Sequence, residues 1–236
     1  MSALLEVDSV HKYFGGIKAV QGVSFKVKEK TIQGIIGPNG SGKTTLVNLI
    51  TGFYKPDKGR IIFDGTDITG WTSHRIFRFA IARTFQIVRL FNNLTLDHNI
   101  SIARLASTSN RLGDNDIEEL LERLDLSLKR RAYVKNLSLF DQRKLEVALK
   151  LINRPKILIL DEPTAGMNPT EISFFLDFVK ELKKKMTIII IEHSIYVITK
   201  VSENCIVLNE GVKIGEGCPD DVVREKAVIE AWIGRG

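Results

Sequence analysis

Apolar residues fall along the chain in distinct rhythms, and each rhythm predicts a different element. Residues 31–36, 156–160 and 187–191 form short, nearly unbroken apolar runs rich in isoleucine. Runs of this length suit strands buried on both faces, as in a parallel sheet. Strict alternation marks half-buried strands: residues 23–27 read Val-Ser-Phe-Lys-Val, and residues 3–10 alternate more loosely. Helical spacing is clearest over 169–185, where Ile172, Phe175, Leu176 and Val179 share a face. The same reading predicts helices over 73–82 with Ser73 as cap, 95–103, 117–124, 138–152 and 220–234.

Turn chemistry punctuates these segments. His11-Lys12-Tyr13-Phe14-Gly15-Gly16 reads as a turn carrying aromatics, and Asp57-Lys58-Gly59 and Asp64-Gly65 bracket a strand at 60–63. Asn209-Glu210-Gly211 joins apolar segments 206–208 and 212–214 as a hairpin. Residues 107–116 are polar enough to be a loop, and Arg83-Thr84-Phe85-Gln86 reads as a strand end. The expectation is one α/β domain over residues 1–236: an α/β lobe from 1–86 and 155–236, strand-rich and antiparallel at its start, with a helical lobe inserted at 87–154.

Between the apolar run at 31–36 and a helical start at 44–49 lies Gly37-Pro38-Asn39-Gly40-Ser41-Gly42-Lys43-Thr44-Thr45. It fits G-x-x-x-x-G-K-[ST], the phosphate-binding loop. A strand passing through glycines into a helix N-terminus presents a nest of backbone N–H groups to a polyphosphate. Asn39, Gly40, Ser41, Gly42 and Thr45 belong to that nest. Lys43 would reach the β- and γ-phosphates, and the Thr44 hydroxyl would sit on Mg²⁺.

Composition narrows the class. The chain has 236 residues and a net charge of +6, long enough for a sizeable core and mildly basic. The short basic runs Lys129-Arg130-Arg131 and Lys183-Lys184-Lys185 read as solvated helix ends rather than a nucleic-acid surface. Cys205 and Cys218 have no metal-type spacing, which fits a reduced, cytosolic protein. No secretory pattern opens the sequence, and no apolar run approaches the ~18 residues a membrane helix needs. Work at a membrane would therefore go through a partner.

The apolar run at 156–160 ends in Asp161-Glu162-Pro163. Asp161 is placed to hold Mg²⁺ through water, because that ion keeps much of its hydration shell. Glu162 is a candidate base for polarising an attacking water. His193 ends the next buried run, where a γ-phosphate contact or a structural role would both suit it. Gln86, at another strand end, would reach metal or water. His11, His74 and His98 have no supporting pattern and read as surface or packing residues.

Taken together, residues 37–44, Gln86, Asp161-Glu162 and His193 resemble, in order and spacing, an ATP-binding cassette (ABC) ATPase over nearly the whole chain. The resemblance is closer to the ATP-binding subunits of branched-chain amino acid importers. It is carried there by Lys12-Tyr13-Phe14-Gly15-Gly16, Ala82-Arg83-Thr84-Phe85-Gln86, Leu90-Phe91, residues 161–169, Ile191-Glu192-His193 and the tail at 228–234. It implies a P-loop NTPase fold: a RecA-like core, an N-terminal antiparallel β-subdomain and an inserted α-helical subdomain. It implies that Phe14, or Tyr13 in its place, stacks on adenine. Glu162 would be the catalytic base, His193 the switch histidine, and Gln86 the link from metal and water to the helical lobe. Two cassettes would sandwich two ATP molecules at the cytoplasmic face of a membrane, driving permease subunits, with Mg²⁺ as cofactor.

One stretch departs from the family pattern. Where the signature reads L-S-G-G-Q, this chain has Leu137-Ser138-Leu139-Phe140-Asp141. Ser138 would still meet the partner's nucleotide in trans, and with Asp141 it would form a capping box. The bulk of Phe140 and the charge of Asp141 suggest a site completed poorly, the alternative being a signature that tolerates these residues with little loss. Asn168 also stands where many cassettes carry Asp. Other readings of the same residues are a urea or amide importer, a lipopolysaccharide-type exporter, a cassette acting on nucleic acid or ribosomes, and a nucleotide-binding subunit that hydrolyses poorly. No nucleic-acid partner is expected, since neither a second cassette nor a long coiled-coil insertion is present.

Overall fold

The computed structural model describes residues 3–107 and 111–233. In chain order the strands are β1 (Ala3–Phe14), β2 (Ile17–Lys28), β3 (Ile32–Ile36), β4 (Lys58–Phe63), β5 (Thr66–Asp67), β6 (Ile81–Arg83), β7 (Ile157–Asp161), β8 (Thr187–Glu192), β9 (Asn204–Asn209) and β10 (Val212–Gly217). The helices are α1 (Lys43–Ile50), α2 (Ser73–Arg78), α3 (Leu96–Leu105), α4 (Asp114–Arg123), α5 (Leu139–Leu151), α6 (Pro169–Lys183), α7 (Ile195–Val201), α8 (Pro219–Val222) and α9 (Lys226–Ile233). Two sheets result. One is antiparallel, ordered β2-β1-β4-β5; the other runs β10-β9-β3-β8-β7-β6 and is parallel except for its β10 edge.

The unbroken apolar runs occupy the middle of the larger sheet, where every residue of β3, β7 and β8 is buried. Their side chains alternate between two cores. Ile32, Ile36, Leu158, Leu160, Ile188 and Ile190 face the core that holds most of the helices. Ile35, Ile157, Ile159, Ile189 and Ile191 face the core shared with α1 and the antiparallel sheet. Because β3, β6, β7 and β8 are parallel, their carboxyl ends share one edge. Chemistry placed just after each strand therefore converges.

Several elements differ from the sequence expectation, each for a physical reason. The turn expected over 11–16 is confined to Gly15 and Gly16, since β1 continues to Phe14. Asp57 holds that extension, accepting from the Tyr13 amide at 2.7 Å and from Lys12 Nζ at 2.9 Å. The expected turn at 57–59 is instead the start of β4: Gly59 has φ 88°, and a Cβ there would meet Ser9 O at 2.3 Å. The helix expected over 73–82 stops at Arg78, and its cap is Thr72 rather than Ser73. Ala80 reverses the chain at φ 85° and its carbonyl accepts from Lys156 N, which starts β6 beside β7. The C-terminal helix is split into α8 and α9, and Gly234 lies outside the described residues. Within the stretch expected as loop, 108–110 also lie outside them, and α4 already begins at Asp114.

Candidate functional site

At the shared edge lies a cleft of about 500 Å³, lined by residues 39–45, Gln86, Glu162, Ile17, Lys18, Ala19 and Glu210. The phosphate-loop residues Asn39, Gly40, Ser41, Gly42, Lys43, Thr44 and Thr45 thus meet Gln86 and Glu162 across one space. A second cleft of about 280 Å³, between α4 and α6, shares none of these residues.

The loop has the form an anion requires. Gly42 caps α1 at φ 101°, with no side chain bonded to the helix's first amides. A Cβ on Gly42 would stand 2.5 Å from Ala19 O, so only glycine lets the loop press against β2. Gly40 has open space where a Cβ would be. Ser41 Oγ is buried with no hydrogen-bond partner among the described residues, a donor aimed into the loop. Lys43 is 5% exposed, and its ammonium donates to Gly37 O at 2.7 Å and Pro38 O at 2.9 Å. Burial pushes the Lys43 ammonium below its ordinary value, while Glu162, Asp161 and Glu192 pull it back up. Cation, orphan hydroxyl and unpaired amides fit a polyphosphate.

The acidic pair is held by the segment leaving β6. Asp161 ends β7 almost fully buried, and its Oδ2 accepts from Arg83 Nη2 at 2.7 Å. Its amide donates to Thr84 Oγ1 at 3.3 Å. Glu162 takes a left-handed φ of 46°, uncommon for a residue with a side chain. That kink swings its carboxylate toward the loop, where Oε2 accepts from Gln86 Nε2 at 2.8 Å. Such strain gathers where function over-determines the backbone. Among the described residues no cluster of three or more His, Cys, Asp and Glu could hold a metal. A cation here needs phosphate oxygens to complete its shell, which is the habit of Mg²⁺.

The remaining expected residues sit around this centre. Asp161 lies behind the cleft lining rather than in it. His193 follows β8, next to β7 in the sheet, with its ring 58% exposed and outside the lining. Phe14 and Tyr13 pair across the hairpin with Ile17 and Lys18, which do line the cleft. The Phe14 ring is 40% exposed and edge-on to Tyr54 at 5.1 Å. The Tyr13 hydroxyl is engaged by His11 Nδ1 at 2.8 Å.

Ser138 is the N-cap of α5, accepting from Asp141 N at 3.1 Å. The expected return bond from the Asp141 carboxylate is not made. That carboxylate is paired with Lys144 at 2.9 Å and with Lys129, and sits below its ordinary value: burial alone would raise it, but the bonds to the two lysines outweigh that. Phe140 turns inward, its ring 5.8 Å from that of Phe174. Leu139 is the side chain left at the surface beside Ser138, 48% exposed.

Sequence reasoning missed Ile17, Lys18, Ala19 and Glu210, which no local pattern marks. It also missed Arg83, and the hold of α5 on the Gln86 segment. Arg143 donates to Phe85 O at 2.7 Å and also to Gln86 O, while buried Glu146 accepts from Phe85 N at 3.2 Å.

Comparison with known proteins agrees with this geometry. Residues 20–165 match the family model described as ABC transporter. The chain is 35% identical to the high-affinity branched-chain amino acid transport ATP-binding protein BraF of Pseudomonas aeruginosa, with 98% of each chain covered. It is also 35% identical to the probable branched-chain amino acid transport ATP-binding protein LivG of Archaeoglobus fulgidus, covering 98% of this chain and 95% of that one. The ADP conformation of MJ1267, an ATP-binding cassette of an ABC transporter, superposes with a TM-score of 0.89 at 32% identity over the whole of both chains. A phosphate loop, an acidic strand end and a glutamine converging on one cleft, in a chain matched over nearly its full length, make this protein a member of the ABC transporter family of ATP-hydrolysing cassettes.

Proposed function

We propose that this chain is the ATPase subunit of an importer for branched-chain or other hydrophobic amino acids, acting at the cytoplasmic face of a membrane. Its relatives of that name match at 35% identity from end to end, and this is the observation that carries the reading. None of the described helices is long and apolar enough to cross a membrane, so permease subunits would form the pathway. The basic runs favour no nucleic-acid partner: Lys129, Arg130 and Lys183 are engaged by Asp141, by Asp97 and Glu118, and by Glu203. Residues 1–86 and 155–236 would form the catalytic lobe, and 87–154 the helical lobe.

In this reading the amides of residues 39–45 and the Lys43 ammonium bind the triphosphate, and Phe14 stacks on adenine, with Tyr13 the alternative. Thr44, Asp161 and Gln86 hold Mg²⁺, directly or through water. The ion would screen phosphate charge and fix the γ-phosphate's orientation. Glu162 accepts a proton from the attacking water, and Gln86, bonded to it, orients that water. His193 and the partner cassette's Ser138-bearing segment would approach the γ-phosphate as two cassettes close, whether the partner is a second copy or a related subunit.

The test is co-purification with permease subunits from its source cells, followed by ATP-dependent uptake of labelled leucine into proteoliposomes. Glu162→Gln should retain ATP binding and lose at least about a hundredfold in hydrolysis and uptake. Equal single-turnover rates in the two proteins would remove Glu162 as base. Transport of a sugar or metal but no amino acid would overturn the substrate class.

A further inference from the structure

We propose that Arg83 is a positioning residue that fixes Asp161 and α1 relative to one another through the helix's last turn, and thereby sets the affinity of the site for its divalent cation. The proposal rests on the functional reading above. Arg83 ends β6, one strand over from β7, and is 8% exposed. One arm of its guanidinium, Nη2, donates to Asp161 Oδ2 at 2.7 Å. The other, Nη1, donates to Asn48 Oδ1 of α1 at 2.6 Å and, more weakly, to Thr51 Oγ1 at the end of α1 at 3.4 Å. Phe53 and Phe85 wall the group in, their centroids 5.9 and 5.3 Å from Cζ and 5.8 Å from each other.

Three consequences follow from this geometry. First, Oδ2 of Asp161 is committed to Arg83, so Oδ1 is the oxygen left for a metal-bound water. Second, α1 begins with Lys43-Thr44, so a planar cation gripping both α1 and Asp161 holds Thr44 and the carboxylate at a set separation. A lysine, with a single point charge, has no rigid fork to span the two partners. Third, the segment serves both acids: Arg83 takes Asp161, and Gln86, three residues on, takes Glu162. Stability does not explain the pair, because a buried ion pair is often no better than packed apolar residues of the same volume. Partners that orient a metal's ligands are worth about 10- to 100-fold in metal affinity.

Metal dependence is the readout that a merely structural role would not move. In the full-length protein, binding of a fluorescent ADP analogue is measured with and without Mg²⁺, and Mn²⁺ binding in the presence of ADP is followed by electron paramagnetic resonance. Arg83→Lys should raise the metal concentration for half-saturation by about tenfold or more, with metal-free nucleotide affinity unchanged. Asn48→Ala, which removes the shorter bond from Nη1 and leaves Thr51 and the ion pair with Asp161 in place, should move it in the same direction by less. A folded Arg83→Lys protein with wild-type Mn²⁺ binding overturns the proposal, as does an equal loss of metal-free nucleotide affinity. Should Arg83→Lys fail to fold, an unchanged metal response in Asn48→Ala overturns it alone. A wild-type protein that binds no metal with its nucleotide would instead strike the functional reading itself.

Discussion

Glu192 shows how one buried side chain near the site is held, and what that hold costs. It is 1% exposed, and its Oε1 accepts from Thr164 N at 3.1 Å and Thr164 Oγ1 at 2.7 Å. It thereby ties the end of β8 to the segment following Glu162. Burial pushes its carboxyl above the ordinary 4.5, against the Thr164 bonds and His193. A carboxyl raised in the folded state keeps its proton at pH values where the unfolded chain has lost it. The unfolded state then binds fewer protons, and stability falls as pH climbs from about 4.5 through the folded pKa. Glu192→Gln keeps an oxygen for Thr164 and removes the titration. Its melting temperature should exceed the wild type's near about pH 8 and converge with it near about pH 5. Parallel melting curves across that range would show that the carboxyl is not penalised. The same scale shows what was legible and what was not. The loop at 37–45 and the pair Asp161-Glu162 announce themselves because their chemistry is written in adjacent residues. Arg83 does not, because its partner lies 78 residues away and only the sheet brings them together.

At the scale of the element, α5 joins two jobs that its sequence shows only in part. Ser138 is readable as a cap, and the helical spacing behind it is plain. The Asp141–Lys144 pair is an i,i+3 spacing within α5, but that Phe140 folds onto Phe174 and that Lys129 also answers Asp141 depends on α6 and on the turn at 127–129, so spacing within α5 could not reveal them. With Phe140 half-buried against Phe174 and Asp141 paired, Leu139 is the bulk left at the surface there. Leu139→Gly should therefore leave the melting temperature within a degree or so, after discounting about 1 kcal/mol for glycine near a helix start, and raise the ATPase rate of the assembled transporter. Phe140→Gly should instead lower the urea midpoint measurably, because it removes a half-buried ring packed on Phe174 and the helical core. No gain in rate from Leu139→Gly would mean that the segment serves its partner well as it stands. Helix α7 went unread, although Ser194 caps it, because Ile195–Val201 is only two turns long and too short for its periodicity to stand out.

The whole molecule is two cores that share their central strands, and this was the most legible feature of the fold. Continuous isoleucine-rich runs have no polar face, so they had to lie between two apolar layers. What the runs could not show was which residue faces which layer. The chain's two tryptophans report on the cores separately: Trp71 packs against the core under the antiparallel sheet, and Trp232 against the helical one. Because β3, β7 and β8 contribute to both, Trp71→Phe and Trp232→Phe proteins should unfold in urea with coincident midpoints by fluorescence. Separate midpoints would mean that the cores are independent units. A shared strand also limits how this chain can change. Removing a single residue from β7 would exchange Leu158 and Leu160 for Ile157 and Ile159 at both layers and rotate Asp161 away from Arg83 in the same stroke. Insertions and deletions in these strands are thus admissible only in even steps, while the connections between them are free to grow by any number.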